Sequence, residues 1–168
     1  DNGGEPIMSR TGHSFIKKKL KETNAALAGE MSGHIFFKER WFGFDDALYT
    51  AARLLEIVSK SNKTCSELFD ELPVNLSTPE ININFDKHGQ QFEAMDSLSK
   101  NIDFPGANIN TIDGVRVDFD DCWGLVRPSN TTPCLVLRFE AKNNAALIGI
   151  QEKFNKWLKS SGISSANL

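Results

Sequence analysis

The chain has 168 residues, of which 40% are hydrophobic and 24% are charged, and its formal net charge is -3. This length and apolar content allow a substantial core in one domain or in two small ones. The charge balance provides no overall basic field that would attract nucleic acid or an anionic membrane, so we expect neither as a partner. An anion would have to be captured by a local group of side chains.

Cysteine spacing, the length of the apolar stretches and the first residues indicate the cellular location. The three cysteines, Cys65, Cys122 and Cys134, follow neither a metal-ligand nor a disulfide pattern, and we expect buried, reduced thiols. No apolar stretch approaches the roughly 18 to 20 residues that cross a bilayer, and the first residues do not resemble a signal peptide. We therefore expect a cytoplasmic location. Because the chain begins without Met, we also expect a piece of a longer protein.

The first 73 residues are predicted to alternate short strands and helices. The predicted elements are a strand at residues 6–9, a helix at 12–24 capped by Thr11, strands on either side of 29–34, a helix from Asp45-Asp46 to about 60, and a short helix at 64–71. Phe15, Ile16 and Leu20 would form the buried face of the first helix. The second helix carries apolar side chains at helical spacing: Leu48, Ala51, Ala52, Leu55 and Val58.

The pattern restarts after Pro73, where we place a domain boundary. The predicted elements beyond it are a strand at residues 81–85, a helix at 89–100, strands at 107–112, 115–119, 123–126 and 135–139, and a helix at 144–160. Asp113-Gly114 between alternating apolar residues predicts a hairpin. The last helix would bury Leu147, Ile150, Phe154, Trp157 and Leu158. This order predicts a compact α+β domain with a mainly antiparallel sheet over residues 74–168.

One polar segment between two predicted strands concentrates a guanidinium, three hydroxyls and an amide: Arg127-Pro128-Ser129-Asn130-Thr131-Thr132-Pro133. A phosphate group favours a bidentate Arg together with hydroxyl and backbone N–H donors. The same residue types also favour an ordinary turn, and composition alone does not separate the two interpretations. Arg127 favours anion binding, because turn chemistry does not require an Arg where a strand ends. The two prolines cannot donate a backbone hydrogen bond.

A second segment places a carboxylate, a hydroxyl and an imidazole between flexible glycines: Gly29-Glu30-Met31-Ser32-Gly33-His34. A carboxylate can accept hydrogen bonds from two neighbouring sugar hydroxyls while a serine hydroxyl completes the pattern. A structural β-turn explains the segment equally well.

Histidines and acidic residues provide few further candidates. His34 could act as a general acid or base, and His13 could face an anion from a helix start, although a lone histidine is more often structural or exposed. His88 lies in a predicted loop. We interpret Asp45-Asp46 as helix-capping charge and the acidic group at 118–121 as a solvated turn. We therefore expect no metal site in this chain.

Several longer strings follow one another in a fixed order. They read Thr11-Gly12-His13-Ser14, Ile16-Lys17-Lys18-Lys19, Gly29-Glu30-Met31-Ser32-Gly33-His34, Phe37-Lys38-Glu39-Arg40-Trp41-Phe42-Gly43-Phe44-Asp45-Asp46, Thr78-Pro79-Glu80-Ile81-Asn82-Ile83, Asp113-Gly114-Val115-Arg116-Val117, Trp123-Gly124-Leu125-Val126-Arg127 and Ser129-Asn130-Thr131-Thr132-Pro133. Together they resemble the bacterial phosphomannomutase/phosphoglucomutase group of the α-D-phosphohexomutase superfamily. Its members have four domains around a cleft. The resemblance implies an incomplete α/β third domain at residues 1–73, followed by a whole α+β fourth domain at 74–168.

The resemblance also implies roles for the two segments. Glu30 and Ser32 would contact sugar hydroxyls, His13 would lie near the reaction centre, and the rest of that loop would be formed by Met31, Gly33 and His34. The phosphate-binding loop would consist of Arg127, Ser129, Asn130 and Thr131, with Thr132 beside them. Pro128 stands where many relatives carry a small residue other than proline.

The implied reaction moves phosphate between the 1- and 6-positions of glucose or mannose, through a phosphoserine and a bisphosphorylated sugar, and makes the parent protein an isomerase. The family's serine and its Mg²⁺-binding aspartates belong to earlier domains, which would be the partners of this chain. The chain alone is therefore expected to bind phosphosugar without turnover. Two alternatives remain: a non-catalytic phosphosugar-binding domain, and a phosphoglucosamine mutase fragment, although Met31 favours the glucose/mannose group.

Overall fold

The chain forms two compact units, Asp1–Pro73 and Val74–Leu168. The computed structural model describes residues 3–163. Within that range, no helix is both long enough and apolar enough to cross a membrane.

The first unit contains three helices and a two-stranded sheet: α1 (His13–Glu22), β1 (Leu27–Gly29), β2 (Ile35–Phe37), α2 (Ala47–Lys60) and α3 (Cys65–Asp70). The strands form an antiparallel hairpin in which Gly29 lies opposite Ile35. Its small core joins the buried side chains of Ile16, Leu20 and Phe36. The predicted strand, loop and strand around residues 29–34 are thus confirmed.

Capping residues define where these helices begin. The Asp46 side chain accepts a hydrogen bond from the Tyr49 N–H at the start of α2, which satisfies a donor that the helix leaves free. Thr64 and Glu67 form a reciprocal capping box at α3. The N-cap of α1 is Gly12, at a positive φ of 127°, and not Thr11 as predicted.

Two further expectations for the first unit are wrong, and the structure also leaves the apolar side chains of α2 uncovered. Residues 6–9 form no strand. Phe15 lies outside the core, with the Arg10 guanidinium 4.4 Å from its ring centre. The apolar side chains of α2 are not buried, and Leu48 is 85% exposed. The physical reason is that a two-stranded sheet offers too little surface to cover a helix of four turns.

Ion pairs join α2 to the segment that precedes it. The Arg40 guanidinium binds the Glu56 carboxylate through two hydrogen bonds of 3.1 and 2.9 Å, and the Lys60 ammonium binds the same carboxylate at 2.6 Å. These contacts, first that from Arg40 and then that from Lys60, lower the pKa of Glu56 to about 2. Charge therefore joins the loop to the helix, in addition to the stacked rings of Trp41 and Tyr49, whose centres are 4.2 Å apart.

The second unit is a six-stranded antiparallel sheet with two helices. Its elements are β3 (Leu76–Ser77), β4 (Ile81–Asn84), α4 (Gln90–Ser99), β5 (Asn108–Asn110), β6 (Val115–Asp118), β7 (Cys122–Pro128), β8 (Cys134–Ala141) and α5 (Asn144–Ser160). The strand order is β3-β8-β7-β6-β5, and β4 also pairs with β8. The predicted hairpin at Asp113-Gly114 is confirmed by the antiparallel pairing of β5 with β6.

Both helices of the second unit share one core with the sheet. Its fully buried side chains include Leu98 from α4, Phe154 and Leu158 from α5, and Phe139 from β8. Gly124 of β7 lies where α5 approaches the sheet, because a Cβ atom there would be 2.6 Å from the Phe154 ring. The predicted buried face of α5 is confirmed, with Leu147 only partly buried.

Several side chains in both units differ from the sequence-based expectation. Cys65 is exposed and Cys122 is half-buried, so only Cys134 is a buried thiol. Asp118 does not lie in a solvated turn: it is the last residue of β6, and its carboxylate accepts hydrogen bonds of 2.6 to 3.0 Å from Arg116. Burial, and then Asp121, raise the pKa of Cys122 to about 11.

Glu56→Gln should weaken the first unit in a pH-dependent way. Because the pKa of the paired carboxyl falls from 4.5 to about 2, its stabilising effect is complete above pH 4.5 and is lost as the pH falls through 2. The melting temperature of the variant, followed through α2 amide resonances, should lie below that of the wild type at pH 7 and converge with it near pH 2. Glu152→Gln, which removes an exposed carboxylate of α5, is the control. An equal difference at both pH values would contradict the ion-pair explanation.

Gly124→Ala should destabilise the second unit by overpacking. The added methyl group would lie within 3 Å of the fully buried rings of Phe154 and Phe139, and a well-packed core resists such insertion at a cost of about 1–3 kcal/mol. Urea denaturation measures this change. Gly149→Ala in α5 is the matched control, because no atom lies within 4 Å of the new methyl group, and it should stabilise by roughly 0.5–1 kcal/mol. Equal effects of the two substitutions would exclude the packing explanation.

Candidate functional site

The loop of the β1–β2 hairpin presents the predicted sugar-binding residues. The Glu30 N–H donates to the His34 carbonyl at 2.9 Å, and the Gly33 N–H donates to the Glu30 carbonyl at 3.0 Å. Gly33 has a positive φ of 91°, which favours glycine at this turn. Met31, 64% exposed, and Ser32 stand at the tip of the loop. The β-turn and the exposed polar groups that the sequence suggests for this segment thus occur in the same loop.

The Glu30 carboxylate lies against the start of α1. Its Oε1 atom accepts a hydrogen bond of 2.6 Å from the Gly12 N–H, one of the donors that a helix start leaves free. In the described range, Oε2 has no hydrogen-bond partner. One carboxylate oxygen therefore anchors the loop, and the other remains able to accept a hydrogen bond from a ligand.

Three side chains from distant positions meet beside this loop. His34 Nδ1 lies 2.6 Å from Asp45 Oδ2, and His13 Nε2 lies 3.7 Å from the same oxygen. The His13 ring packs edge-on against His34, with 4.6 Å between ring centres, and against the buried ring of Phe36. The two histidines that were singled out separately from the sequence therefore form one cluster with Asp45.

Asp45 was assigned to helix capping, and this was wrong. Asp46 alone caps α2, while the Asp45 carboxylate contacts both imidazoles. The hydrogen bond with His34 is the main cause that holds the pKa of Asp45 below its usual value. The only sequence signal for this role was the second acid of the pair, because an N-cap requires just one carboxylate.

The His13, His34 and Asp45 cluster is also the one group in the described range whose ligand atoms, all within 4.8 Å of one another, could hold a metal ion. Two imidazoles and a single carboxylate suit zinc or a similar transition metal. They do not suit Mg²⁺, which prefers oxygen ligands. In the structure, His34 Nδ1 and Asp45 Oδ2 are hydrogen-bonded to each other.

The second candidate region is the loop between β7 and β8. Arg127 and Pro128 are the last residues of β7, paired with Val136 and Leu135, so the loop itself begins at Ser129 and not at Arg127. Ser129 is 7% exposed. Its Oγ accepts backbone hydrogen bonds from Thr131 at 3.3 Å and Thr132 at 3.2 Å. Ser129 therefore organises the loop from within.

Gln91 supports this loop from below and was not found from the sequence. Its side chain is fully buried, and its Nε2 donates to the Ser129 carbonyl at 3.2 Å and to the Thr132 carbonyl at 3.4 Å. Its Oε1 accepts from the Gly89 N–H at 2.8 Å. The sequence does contain a signal for it: Gln91 is a polar residue at the helical spacing of the buried residues Met95 and Leu98 of α4.

Arg127 enters the loop region with few partners of its own. Its side chain is 19% exposed, and the nearest carboxylate, that of Asp113, lies 4.0 Å from Nη1. Within the described range, the guanidinium makes no hydrogen bond. Beside it, the exposed Asn130 has a free backbone N–H in the same range, and Thr131 and Thr132 are exposed as well. The Asn130 N–H is therefore available to an anion, whereas the Thr132 hydroxyl already lies 2.8 Å from Ser129 Oγ and 3.2 Å from Cys134 Sγ.

Gly114 sets the path of the backbone at Arg127. A Cβ atom at Gly114 would lie 2.1 Å from the Val126 carbonyl oxygen and 2.6 Å from the Arg127 Cα atom. Gly114 also has a positive φ of 77°. The hairpin turn predicted from Asp113-Gly114 thus lies directly against the backbone of β7 at Val126 and Arg127.

Comparison with known proteins places these features in one family. Residues 1–76 match the family model described as phosphoglucomutase/phosphomannomutase, alpha/beta/alpha domain III, and residues 80–156 match the one described as phosphoglucomutase/phosphomannomutase, C-terminal domain. The chain is 56% identical over 157 residues to a phosphomannomutase/phosphoglucomutase of Pseudomonas putida, with 94% of this chain and 34% of that protein covered. It is 55% identical over 161 residues to a phosphoglucomutase of Neisseria gonorrhoeae, with 95% and 35% covered.

A solved structure agrees with this assignment. A phosphoglucomutase/phosphomannomutase family protein from Burkholderia thailandensis superposes with a TM-score of 0.88 at 50% sequence identity, over 98% of this chain and 34% of that one. The chain therefore belongs to the phosphoglucomutase/phosphomannomutase family. Within that family it comprises domain III and the C-terminal domain, and it spans about a third of the length of the curated relatives it matches.

Ser129→Ala should loosen the β7–β8 loop, because it removes the acceptor of two backbone hydrogen bonds. Each ordinary hydrogen bond contributes about 0.5–1.5 kcal/mol, so the second unit should lose a comparable amount in urea denaturation. Hydrogen exchange at the Thr131 and Thr132 amides should accelerate. The exposed Asn130→Ala is the control for stability and should leave the denaturation midpoint unchanged. Unchanged exchange in Ser129→Ala would contradict the organising role.

Proposed function

We propose that this chain supplies the ligand-recognition surfaces of a phosphohexomutase, which interconverts the 1-phosphate and 6-phosphate of glucose or mannose. The observation that carries the proposal is the Arg127 guanidinium, which is mostly buried and makes no hydrogen bond in the described range. A cation removed from water is costly unless it is paired, and a 4.0 Å contact with Asp113 is a weak pairing. An oxyanion ligand would complete it.

Phosphate is the ligand that the β7–β8 loop suits best. Arg127 can bind two phosphate oxygens in a bidentate manner. The Asn130 backbone N–H and the exposed Thr131 hydroxyl can bind the third, with Thr132 beside them. Ser129 holds the loop in shape, and Pro128 contributes no N–H and ends β7.

Sugar hydroxyls are the ligands that the β1–β2 loop suits. Glu30 Oε2 can accept from a hydroxyl, and the exposed Ser32 hydroxyl can both donate and accept. Met31 and Gly33 complete the exposed rim of this loop. A carboxylate and a hydroxyl recognise a polyol better than they recognise an anion, which matches the division of roles between the two loops.

His34 and His13 would support proton transfer at the sugar. A general acid or base must come within hydrogen-bond reach of the hydroxyl that exchanges its proton, and His34 adjoins the loop that holds Glu30. His13 lies beside it. Phosphoryl transfer depends mainly on positioning and on stabilising charge, so the loops and these histidines together serve one reaction.

The remaining chemistry would come from outside this chain. The phosphoserine and the Mg²⁺-binding aspartates would lie in other domains of the enzyme, which are the partners that the proposal requires, and a bisphosphorylated sugar would be the intermediate. Mg²⁺ would not bind at His13, His34 and Asp45, whose donor set does not fit it. We further propose a cytoplasmic enzyme, and we expect the chain alone to bind phosphosugar weakly and to catalyse no turnover.

Titration of the chain with glucose 6-phosphate tests recognition. The amides of Asn130, Thr131 and Thr132 should shift in NMR spectra, and Arg127→Ala should weaken binding at least about tenfold, because a charge-assisted hydrogen bond is worth about 1.5–3 kcal/mol. Lys159→Ala, which removes an exposed charge of α5, should bind like the wild type. Inorganic phosphate should shift the β7–β8 loop without shifting the β1–β2 loop.

Activity is tested in a chimera in which this chain replaces the matching third of the Pseudomonas putida phosphomannomutase/phosphoglucomutase described above. The chimera should convert glucose 1-phosphate to glucose 6-phosphate, and Arg127→Ala should lower kcat/KM while Lys159→Ala does not. A folded but inactive chimera, or an active one indifferent to Arg127→Ala, would exclude the proposed role.

A further inference from the structure

We infer that Asp45 is a positioning residue, which holds His34 in the tautomer that leaves Nε2 free to exchange a proton with the sugar. The catalytic role of this tautomer rests on the proposed function, but the tautomer itself is a property of this chain. Asp45 is not a ligand-binding group in the proposal. It would act only through the imidazole that it contacts.

The Asp45 carboxylate is fixed from two sides. Its Oδ1 accepts a hydrogen bond of 3.2 Å from the Ile35 N–H, and its backbone forms an isolated bridge with Phe36 of β2. Its Oδ2 lies 2.6 Å from His34 Nδ1. One oxygen therefore anchors the side chain to β2, and the other faces the imidazole.

The distance and the charge together determine the tautomer. A carboxylate oxygen can only accept, so a 2.6 Å contact requires that His34 Nδ1 carries the hydrogen. A neutral ring with Nδ1–H has an unprotonated Nε2. His13 does not compete effectively for this oxygen, because its Nε2 stands 3.7 Å away. Asp46 cannot replace Asp45, because it caps α2.

This tautomer serves phosphoryl transfer in both directions. As a sugar hydroxyl oxygen forms its bond to phosphorus, its proton passes to His34 Nε2, and the bond from phosphorus to the phosphoserine oxygen breaks, leaving its electron pair on that oxygen. The imidazolium that forms remains paired with the Asp45 carboxylate. In the reverse direction Nε2 returns the proton to the sugar oxygen as the bond to phosphorus breaks. Asp45 thus orients the ring and balances its transient charge, as a carboxylate does behind other histidines that accept protons.

The direct test is the tautomer of His34 in the chain itself, read from long-range ¹H–¹⁵N spectra at a pH where neutral imidazole is observed. The wild type should show Nδ1–H and a free Nε2. Asp45→Asn should reverse this, because its amide oxygen can keep the Ile35 contact while its NH₂ group donates to Nδ1, which then carries no hydrogen. A variant that merely perturbed the fold would not exchange one defined tautomer for the other.

Asp46→Asn is the matched control, since it removes the neighbouring charge and keeps a good N-cap. It should retain the wild-type tautomer. An Nε2–H signature in the wild type, or an unchanged tautomer in Asp45→Asn, would overturn the inference. So would a change in the resonances of both imidazoles when EDTA is added, because it would show that the three side chains hold a metal ion.

Activity and binding measurements distinguish a failure of this inference from a failure of the proposed function. In the chimera, Asp45→Asn should lower kcat at least tenfold with little change in KM, whereas Asp46→Asn should change neither. If glucose 6-phosphate shifts no amide of the chain and the His34 tautomer behaves as expected, the proposed function fails and the structural inference stands. If binding and turnover are normal in Asp45→Asn, the positioning role is refuted while the proposed function survives.

Discussion

The sheet of the second unit depends on β8, which pairs with three other strands. β8 lies against β7 along one edge, while its other edge holds β4 near its start and β3 near its end. Its inward side chains join those of α4 and α5 in one core. The β7–β8 loop projects from the most extensively paired strands of the sheet, and this gives a polar loop the rigid base that precise recognition of an anion requires.

The first unit achieves a comparable arrangement with little core. The start of α1, the β1–β2 loop and the residue before the N-cap of α2 converge through polar contacts: Gly12 with Glu30, and Asp45 with His34 and Ile35. Its hydrophobic core consists mainly of Ile16, Leu20 and Phe36. Hydrogen bonds and ion pairs therefore supply the specificity that packing supplies in the second unit, and the apolar residues of α2 remain exposed.

Local patterns predicted the elements of the second unit well and the contacts of the first unit poorly. α5 has an N-cap, a helical period and a core to face, so its bounds and buried side chains followed from the sequence. The apolar period of α2 was equally clear, but burial requires a partner surface that a period cannot reveal. The pairing of Asp45 with His34, eleven residues away, depends on the hairpin geometry. Gln91 was missed because its partners lie on a loop far along the chain.

The adjacent carboxylates at the start of α2 have unequal duties, one toward the helix and one toward the imidazoles. Because the two residues are adjacent, neither carboxylate can change its position along the chain without the other. Inserting or deleting one residue before Ala47 would shift both at once, so that the helix start and the histidine contact could not be adjusted separately. This short stretch should therefore tolerate substitution at one carboxylate far better than any change of length.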